Sequence, residues 1–341
     1  MADSILAAPL GAEWLAHRFD EATGDFRFVA YDRAERGAVP FLTDDHLPER
    51  SWRTLSRREA QAIHQRAPVH FIFHSGFCCS TLLASCFDLP GLASAFSEPM
   101  ILNDIVGWRL RGAPPDAVGA TLTDALHLLG RPFPGDQAAI VKPSSVVNGL
   151  GAAMLAIQSQ ARAVVMHAPL GDFLISIAKK GLDGRHWVRE LFVRLRSEGR
   201  MRTLGFTDVD FLGQTDLQIA AMAWLSQQAI FAELVARTPD RVRSLDSATF
   251  MAAPDRTVAE TAGHFGLVLT EAQLVTIRKE SLVRDSKSGR RFTAADRKKE
   301  YERMHALHGD EIDKVIAWTK EVAVNQGLTL NLAAPLLPDR P

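Results

Sequence analysis

The chain reads as an α/β protein built in three layers, with a central, mostly parallel five-stranded sheet flanked by helices on both faces. Three observations carry that reading. Residues 69–87, VHFIFHSGFCCSTLLASCF, run from a buried strand through a compact loop into a helix that opens on hydroxyls. Four more short apolar runs, at 92–96, 138–141, 163–166 and 242–245, recur downstream with helical stretches between them. Strands alternating with helices imply parallel pairing, since each crossover returns the chain to the same end of the sheet. Finally, Ser80, Glu98, Lys142 and His167 follow the ends of four different strands, which is where such sheets bind ligands.

Taken in order, residues 1–66 read as an embellishment too polar for a core of its own, packed on a main domain of 67–330, with a tail at 331–341. Within the embellishment, 10–19 reads as a short helix and 26–31 as an alternating strand. The stretch 35–50 reads as loop around Pro40 and Pro48, and 53–65 as a charged surface helix. The β-branched and aromatic run at 69–73 is the first core strand. Ser75, Gly76, Phe77, Cys78 and Cys79 then make the loop, and Ser80-Thr81 opens the helix. A helix's first N–H groups have no intrahelical partner and carry the positive end of its dipole, so a phosphate is the natural guest. The usual phosphate-loop pattern, G-x-x-x-x-G-K-[ST], is only partly present. Ser80-Thr81 fills its end, while Cys78 stands at the second glycine and Cys79 at the lysine. A purely structural strand–turn–helix corner fits the same residues.

The second run ends at Ser97-Glu98-Pro99, and 100–135 holds helices among glycine and proline breaks. The third ends at Lys142-Pro143, followed by a small-residue helix at 150–158. The fourth ends at His167-Ala168-Pro169, and the helix at 172–180 stops on Lys179, Lys180 and Gly181. Amphipathic helices are expected at 185–196 and 217–236. The second is capped by Thr215/Asp216 and places Leu217, Ala220, Ala221, Trp224, Phe231 and Leu234 near one face. Further helices finish the chain.

Composition narrows the function classes. At 341 residues, 47% hydrophobic and 23% charged, the chain can bury a full core and shows no sign of wholesale disorder. Lys+Arg 39 against Asp+Glu 40 leaves no field to favour nucleic acid or an acidic membrane as a partner. Cys78, Cys79 and Cys86 make no disulfide framework and suit a reducing compartment. Asp3 and Glu13 sit where a secretory signal would be basic and then apolar, and no stretch approaches the length of a membrane span. The expectation is cytoplasmic, with no sign of oligomeric state.

The order of these signals resembles the sulfotransferases that use 3′-phosphoadenylyl sulfate (PAPS), in a divergent bacterial form. These share the phosphate-loop (P-loop) fold of nucleotide kinases. Their loop, arginine or lysine then Ser-Gly-Thr-Thr, is similar to Phe77-Cys78-Cys79-Ser80-Thr81 here. Their Lys-[ST]-Pro on a middle strand resembles Ile140-Val141-Lys142-Pro143-Ser144. Their strand ending Arg-Asp-Pro, with a serine two turns on, resembles His167-Ala168-Pro169 with Ser176. Their Tyr-Glu-Asp-Leu, proline and Phe-Leu-Gly-Leu correspond to residues 244–250, Pro254 and His264-Phe265-Gly266-Leu267. The likeness spans residues 68–300, with order kept and motifs loose. Two departures stand out: Phe77 where the loop's base belongs, and His167-Ala168 where the arginine belongs.

The resemblance implies PAPS as donor and a small-molecule or glycan acceptor offering a hydroxyl or amine. It assigns the 5′-phosphate to the loop from Ser75 to Thr81, and the bridging oxygen or sulfonate to Lys142. Glu98 becomes the general base, and Ser176 with His167 the 3′-phosphate site. The basic stretch 284–291 resembles the family's late loop over that phosphate, which adds Arg284 and Lys287. Sulfonyl transfer, like phosphoryl transfer, needs positioning, charge stabilisation and a base. No metal is required, since the donor carries its own leaving group and no metal-ligand spacing is visible.

Plainer roles compete for the same residues. Glu98 also suits a helix cap, and Ser176 a bond to its own backbone. Lys179 and Lys180 suit a helix C-terminus. The arginines of 185–202 spread as a solvated face, and His186 and Trp187 fit an acceptor pocket, core or surface alike. Cys78 and Cys79, at a helix N-terminus with His74 nearby, suggest acidic thiols. Two other classes remain open: a kinase-like phosphotransferase using ATP and magnesium, and a non-catalytic nucleotide-binding protein.

Overall fold

The computed structural model describes residues 10–282 and 294–337. Three antiparallel strands come first, β1 (Trp14–Phe19), β2 (Phe26–Ala30) and β3 (Arg53–Leu55), side by side in that order. The central sheet is formed by β4 (Val69–His74), β5 (Ala93–Ser97), β6 (Ala138–Lys142), β7 (Ala163–His167) and β8 (Val242–Asp246). Its order is β5-β6-β4-β7-β8 and every pairing is parallel. All residues of β4, β6 and β7 are buried, which is why they read as continuous apolar runs rather than alternating ones.

Helices cover both faces. On one, His70 of β4 stacks on Phe265 at 5.1 Å, and Phe265 also meets Phe87 of the helix Ser80–Phe87. On the other, Gly151 admits the Phe73 ring and Leu234 to within 3.4 Å and 3.1 Å of where a Cβ would stand. This second face is held by the helix Asp216–Arg237, started by a Thr215–Gln218 capping box. That helix has the length and apolarity of a membrane span, contrary to the sequence expectation. Its apolar residues are enclosed by protein, with Leu217, Trp224 and Phe231 at most 2% exposed.

Three local expectations fail. The helix expected at 10–19 is strand β1, settled by pairing with β2 across a turn at 20–25 where Gly24 takes φ +78°. The helix expected at 53–65 splits: β3 pairs with β2, and Ser56 with Glu59 caps a separate short helix, Arg57–Gln61. Within the expected loop at 35–50, the residues to Gly37 belong to a helix, Arg33–Gly37, capped by Asp32. Farther on, the break at Lys180 is a kink, since Gly181–Ser197 follows directly and Gly181 takes φ +58°. The expected tail is also engaged at its start: Ser244 of β8 donates to Ala334 and accepts from Leu336.

The first sheet docks on the helix Met100–Leu110. Asp104 accepts two bonds from Arg18 at 2.8 Å and one from the Phe19 amide at 2.9 Å. The following segment bonds through Leu42 to the Ser97 carbonyl at 2.8 Å, which brings Phe41 to the end of β5.

The exit of β4 is fixed by a buried amide pair. The Asn148 amide donates to the His74 carbonyl at 2.9 Å and to Gln227 Oε1 at 2.6 Å, and Gln227 donates to the Ser75 carbonyl at 3.1 Å. Both amides are at most 1% exposed, so removing one strands its partners without water. Gln227→Leu, which keeps the bulk, is expected to cost about 1–3 kcal/mol, read as a lower denaturation midpoint at unchanged slope.

Candidate active-site cleft

The cleft follows from β-strand geometry. Parallel strands end together, so β4, β5 and β6 deliver His74, Glu98 and Lys142 to one rim, with Ser97 in register with Lys142. The cavity there measures about 480 Å³ and is lined by Gly76 through Thr81 together with these three residues.

Lys142 is fully buried, and its Nζ lies 2.5 Å from Glu98 Oε1 and 5.1 Å from the centre of the Phe41 ring. A buried ammonium is tolerable only with such a partner. The Glu98 amide also donates to the Lys142 carbonyl at 2.6 Å. Glu98 takes φ +52°, a left-handed value unusual for a side-chain-bearing residue. His74 Nε2 approaches the same carboxylate oxygen at 3.7 Å.

The loop is similarly contorted. Gly76, Phe77 and Cys79 take φ of +85°, +52° and +62°, and each of the two non-glycine turns costs about 1–2 kcal/mol. Such strain gathers at functional sites. Gly76 is required twice over, since a Cβ there would also stand 2.9 Å from the Trp187 ring. Phe77 packs edge-on against Trp187 at 4.9 Å and Phe173 at 6.0 Å.

Cys78 overturns the expectation of an acidic thiol. It is 1% exposed, its sulfur donates to the Met166 carbonyl at 3.4 Å, and burial pushes its pKa up to about 11. Desolvation outweighs the helix terminus here.

Other expected site residues lie elsewhere. Ser176 donates to its own helix at the Asp172 carbonyl, 2.8 Å, and meets the Tyr301 hydroxyl at 3.2 Å. His167 is buried at the end of β7, 3.8 Å from Asp246, and burial pulls its pKa down against the raising effect of that carboxylate. Ser75 is buried beneath the loop, bonded through its amide to Met166. None of the three lines the cleft. Arg284 and Lys287 lie outside the described residues.

The structure brings Trp187 to the cleft, one of the places its sequence position suited, together with residues that sequence reading did not place there. Lys180, Asp183, Trp187, Glu190, Leu191 and Arg194 line the opposite wall. Their spacing of three and four is a helical stripe, visible in the sequence but masked by charge on the other faces. Those other charges have partners: Arg185 and Arg189 pair with Asp216, and Arg196 with Asp208. Arg109 pairs with Glu198 at 2.6 Å and holds the far end of this wall to the helix Met100–Leu110. Among the described residues, no group of three or more His, Cys, Asp or Glu side chains is placed to hold a metal ion.

The fold and cleft therefore define a three-layer α/β protein with a loop–helix pocket at the carboxyl edge of a parallel sheet. No protein-family model matches the chain, and no curated protein matches it. Among solved structures it is similar to the sulfotransferase domain from the curacin biosynthetic pathway, with TM-score 0.42, 12% identity, and coverage of 78% of this chain and 100% of that one. It is also similar to sulfotransferase STF1 from Mycobacterium tuberculosis H37Rv, with TM-score 0.41, 13% identity, and coverage of 73% and 78%. A third is sulfotransferase STF9 from Mycobacterium avium, with TM-score 0.42, 11% identity, and coverage of 76% and 79%.

Thiol reactivity reports the loop's packing. In the native protein, iodoacetamide is expected to label Cys79, which is half-buried on the cleft, and to spare Cys78 and Cys86 until unfolding. Mass spectrometry of tryptic peptides reads this directly, and labelling of Cys78 at the rate of Cys79 contradicts the buried loop.

Proposed function

We propose that the protein is a sulfotransferase that moves a sulfonate from PAPS to a hydroxyl or amine of a small-molecule or glycan acceptor. The observation that supports it most is the buried Lys142–Glu98 pair, set on adjacent strand ends and facing the loop across one cleft. An acid and a base held together where an anion-type loop opens are what group transfer to an oxygen or nitrogen needs.

In this reading Ser80 and Thr81, with the first amides of the helix Ser80–Phe87, hold the donor's 5′-phosphate. Lys180 and Arg194, on the opposite wall, supply the positive charge that Phe77 does not. Lys142 exchanges Glu98 for the oxygen that bridges sulfur and phosphorus, and this exchange frees the carboxylate. Glu98 then takes the acceptor's proton as the acceptor atom bonds to sulfur. The bond from sulfur to the bridging oxygen breaks, and that oxygen leaves with the phosphate, neutralised by Lys142. The donor supplies an activated sulfonate, and the chain's residues supply placement and proton transfer. His167 and Ser176 are not carried into the proposal as the 3′-phosphate site, since Asp246 stands beside the first and the second is bonded within the fold.

Thermal unfolding with adenosine 3′,5′-bisphosphate and a chelator tests donor binding. At a hundredfold excess over Kd, binding adds about 2.7 kcal/mol and raises Tm by several degrees. Stabilisation only by ATP with magnesium identifies a kinase instead, and stabilisation by neither opposes nucleotide transfer altogether. Glu98→Gln is expected to retain bisphosphate binding and slow PAPS turnover by about 10²–10⁴-fold, while Lys142→Ala weakens both. Unchanged turnover in the Gln variant removes Glu98 as base.

A further inference from the structure

We infer that His74 is a positioning residue that aims the Glu98 carboxylate and ties it to the conformation of the loop. This rests on the proposed role of Glu98 and adds a residue to it. His74 closes β4, is 5% exposed and lines the cleft. Its ring faces two ways. On the loop side, the Gly76 amide donates to Nδ1 at 3.1 Å in a buried bond. On the other side, Nε2 points to Glu98 Oε1 at 3.7 Å.

That geometry selects a tautomer. A ring nitrogen accepts a hydrogen bond only when it carries no proton, so the Gly76 amide leaves the proton of a neutral ring on Nε2. An Nε2–H is a donor directed at a carboxylate. At 3.7 Å it is longer than a hydrogen bond, but Lys142 occupies the same oxygen at 2.5 Å. When Lys142 turns to an anion in the cleft, that oxygen loses its nearest donor and the imidazole is next in line. Distances of this kind shorten in the reacting complex. Glu98 would then keep one oxygen on His74 and present the other to the acceptor.

Two consequences follow. His74 is not itself the base, because taking a proton at Nδ1 breaks the Gly76 bond and Nε2 already holds one. Instead, any movement of Gly76 changes what Nε2 offers to Glu98, so the loop and the carboxylate respond together. Asn148 holds the His74 carbonyl at 2.9 Å and so fixes the backbone from which the ring projects, while the Gly76 amide holds the ring itself.

Nitrogen-15 spectra of histidine-labelled protein test the tautomer without any ligand. The signals absent from His74→Gln are expected to show a protonated Nε2 and an unprotonated Nδ1 at neutral pH. The Nδ1–H form, or averaging between the two, overturns the inference. A substitution pair tests the role. Asn places its carbonyl near Nδ1 and keeps the Gly76 bond but offers Glu98 nothing. Gln places an N–H near Nε2 and loses the Gly76 bond. His74→Asn is expected to unfold at the wild-type temperature, bind adenosine 3′,5′-bisphosphate normally, and turn over PAPS about 10–100-fold more slowly. His74→Gln is expected to recover part of that turnover while binding the bisphosphate more weakly. If Glu98→Gln is inactive and His74→Asn is fully active, this inference falls alone. If Glu98→Gln is fully active, the reading beneath it falls too.

Discussion

A buried ammonium paired with a carboxylate at the rim of a parallel sheet constrains everything around it. Lys142 has no access to water, so the fold must bring Glu98 to it. The chain does this twice over, by pairing β5 with β6 up to Ser97 and by bonding the Glu98 amide back to the Lys142 carbonyl. Glu98 takes its left-handed turn directly after these two tethers. Breaking such a pair leaves a lone buried charge, which is why the two residues behave as one unit.

The loop solves a related problem without the usual residues. A phosphate-type loop must curl its backbone, and glycine normally permits that. Here only Gly76 is a glycine, while Phe77 and Cys79 take the same left-handed sense. Their strain is held from below by Asn148 and Gln227, which grip the carbonyls of His74 and Ser75. From above, Trp187 closes on Gly76 and Phe77 packs into the aromatic cluster. Lys180 and Arg194 stand on the wall that faces the loop.

Burial, more than local dipoles or charges, sets the direction in which the Cys78 thiol and the His167 ring are shifted. Cys78 sits beside the start of a helix, yet its thiol is made less acidic because no water reaches it. His167, at a strand end like Lys142, faces Asp246 rather than the cleft. Position at the edge of the sheet therefore does not suffice: β7 lies on the far side of β4 from β6, and His167 at its end does not line this cavity.

The five core strands and the strand–loop–helix corner were legible because each depends on a short contiguous run with its own periodicity, and Glu98 and Lys142 were legible as residues at strand ends. The same holds for the capped helix behind Thr215. Strand β1 was not legible, because ten residues do not distinguish helix from strand until β2 offers its edge. The helical stripe from Lys180 to Arg194 was present as a spacing, but only packing tells which face of a charged helix meets a cavity. Ser176 and His167 had the expected order along the chain, and only the structure shows their contacts with Tyr301 and Asp246, outside the lining of the cleft. Local pattern thus decided which elements form and which side chains stand at their ends. Long-range packing decided which of those ends share a cleft, since that depends on strand order and on partners far apart in the chain.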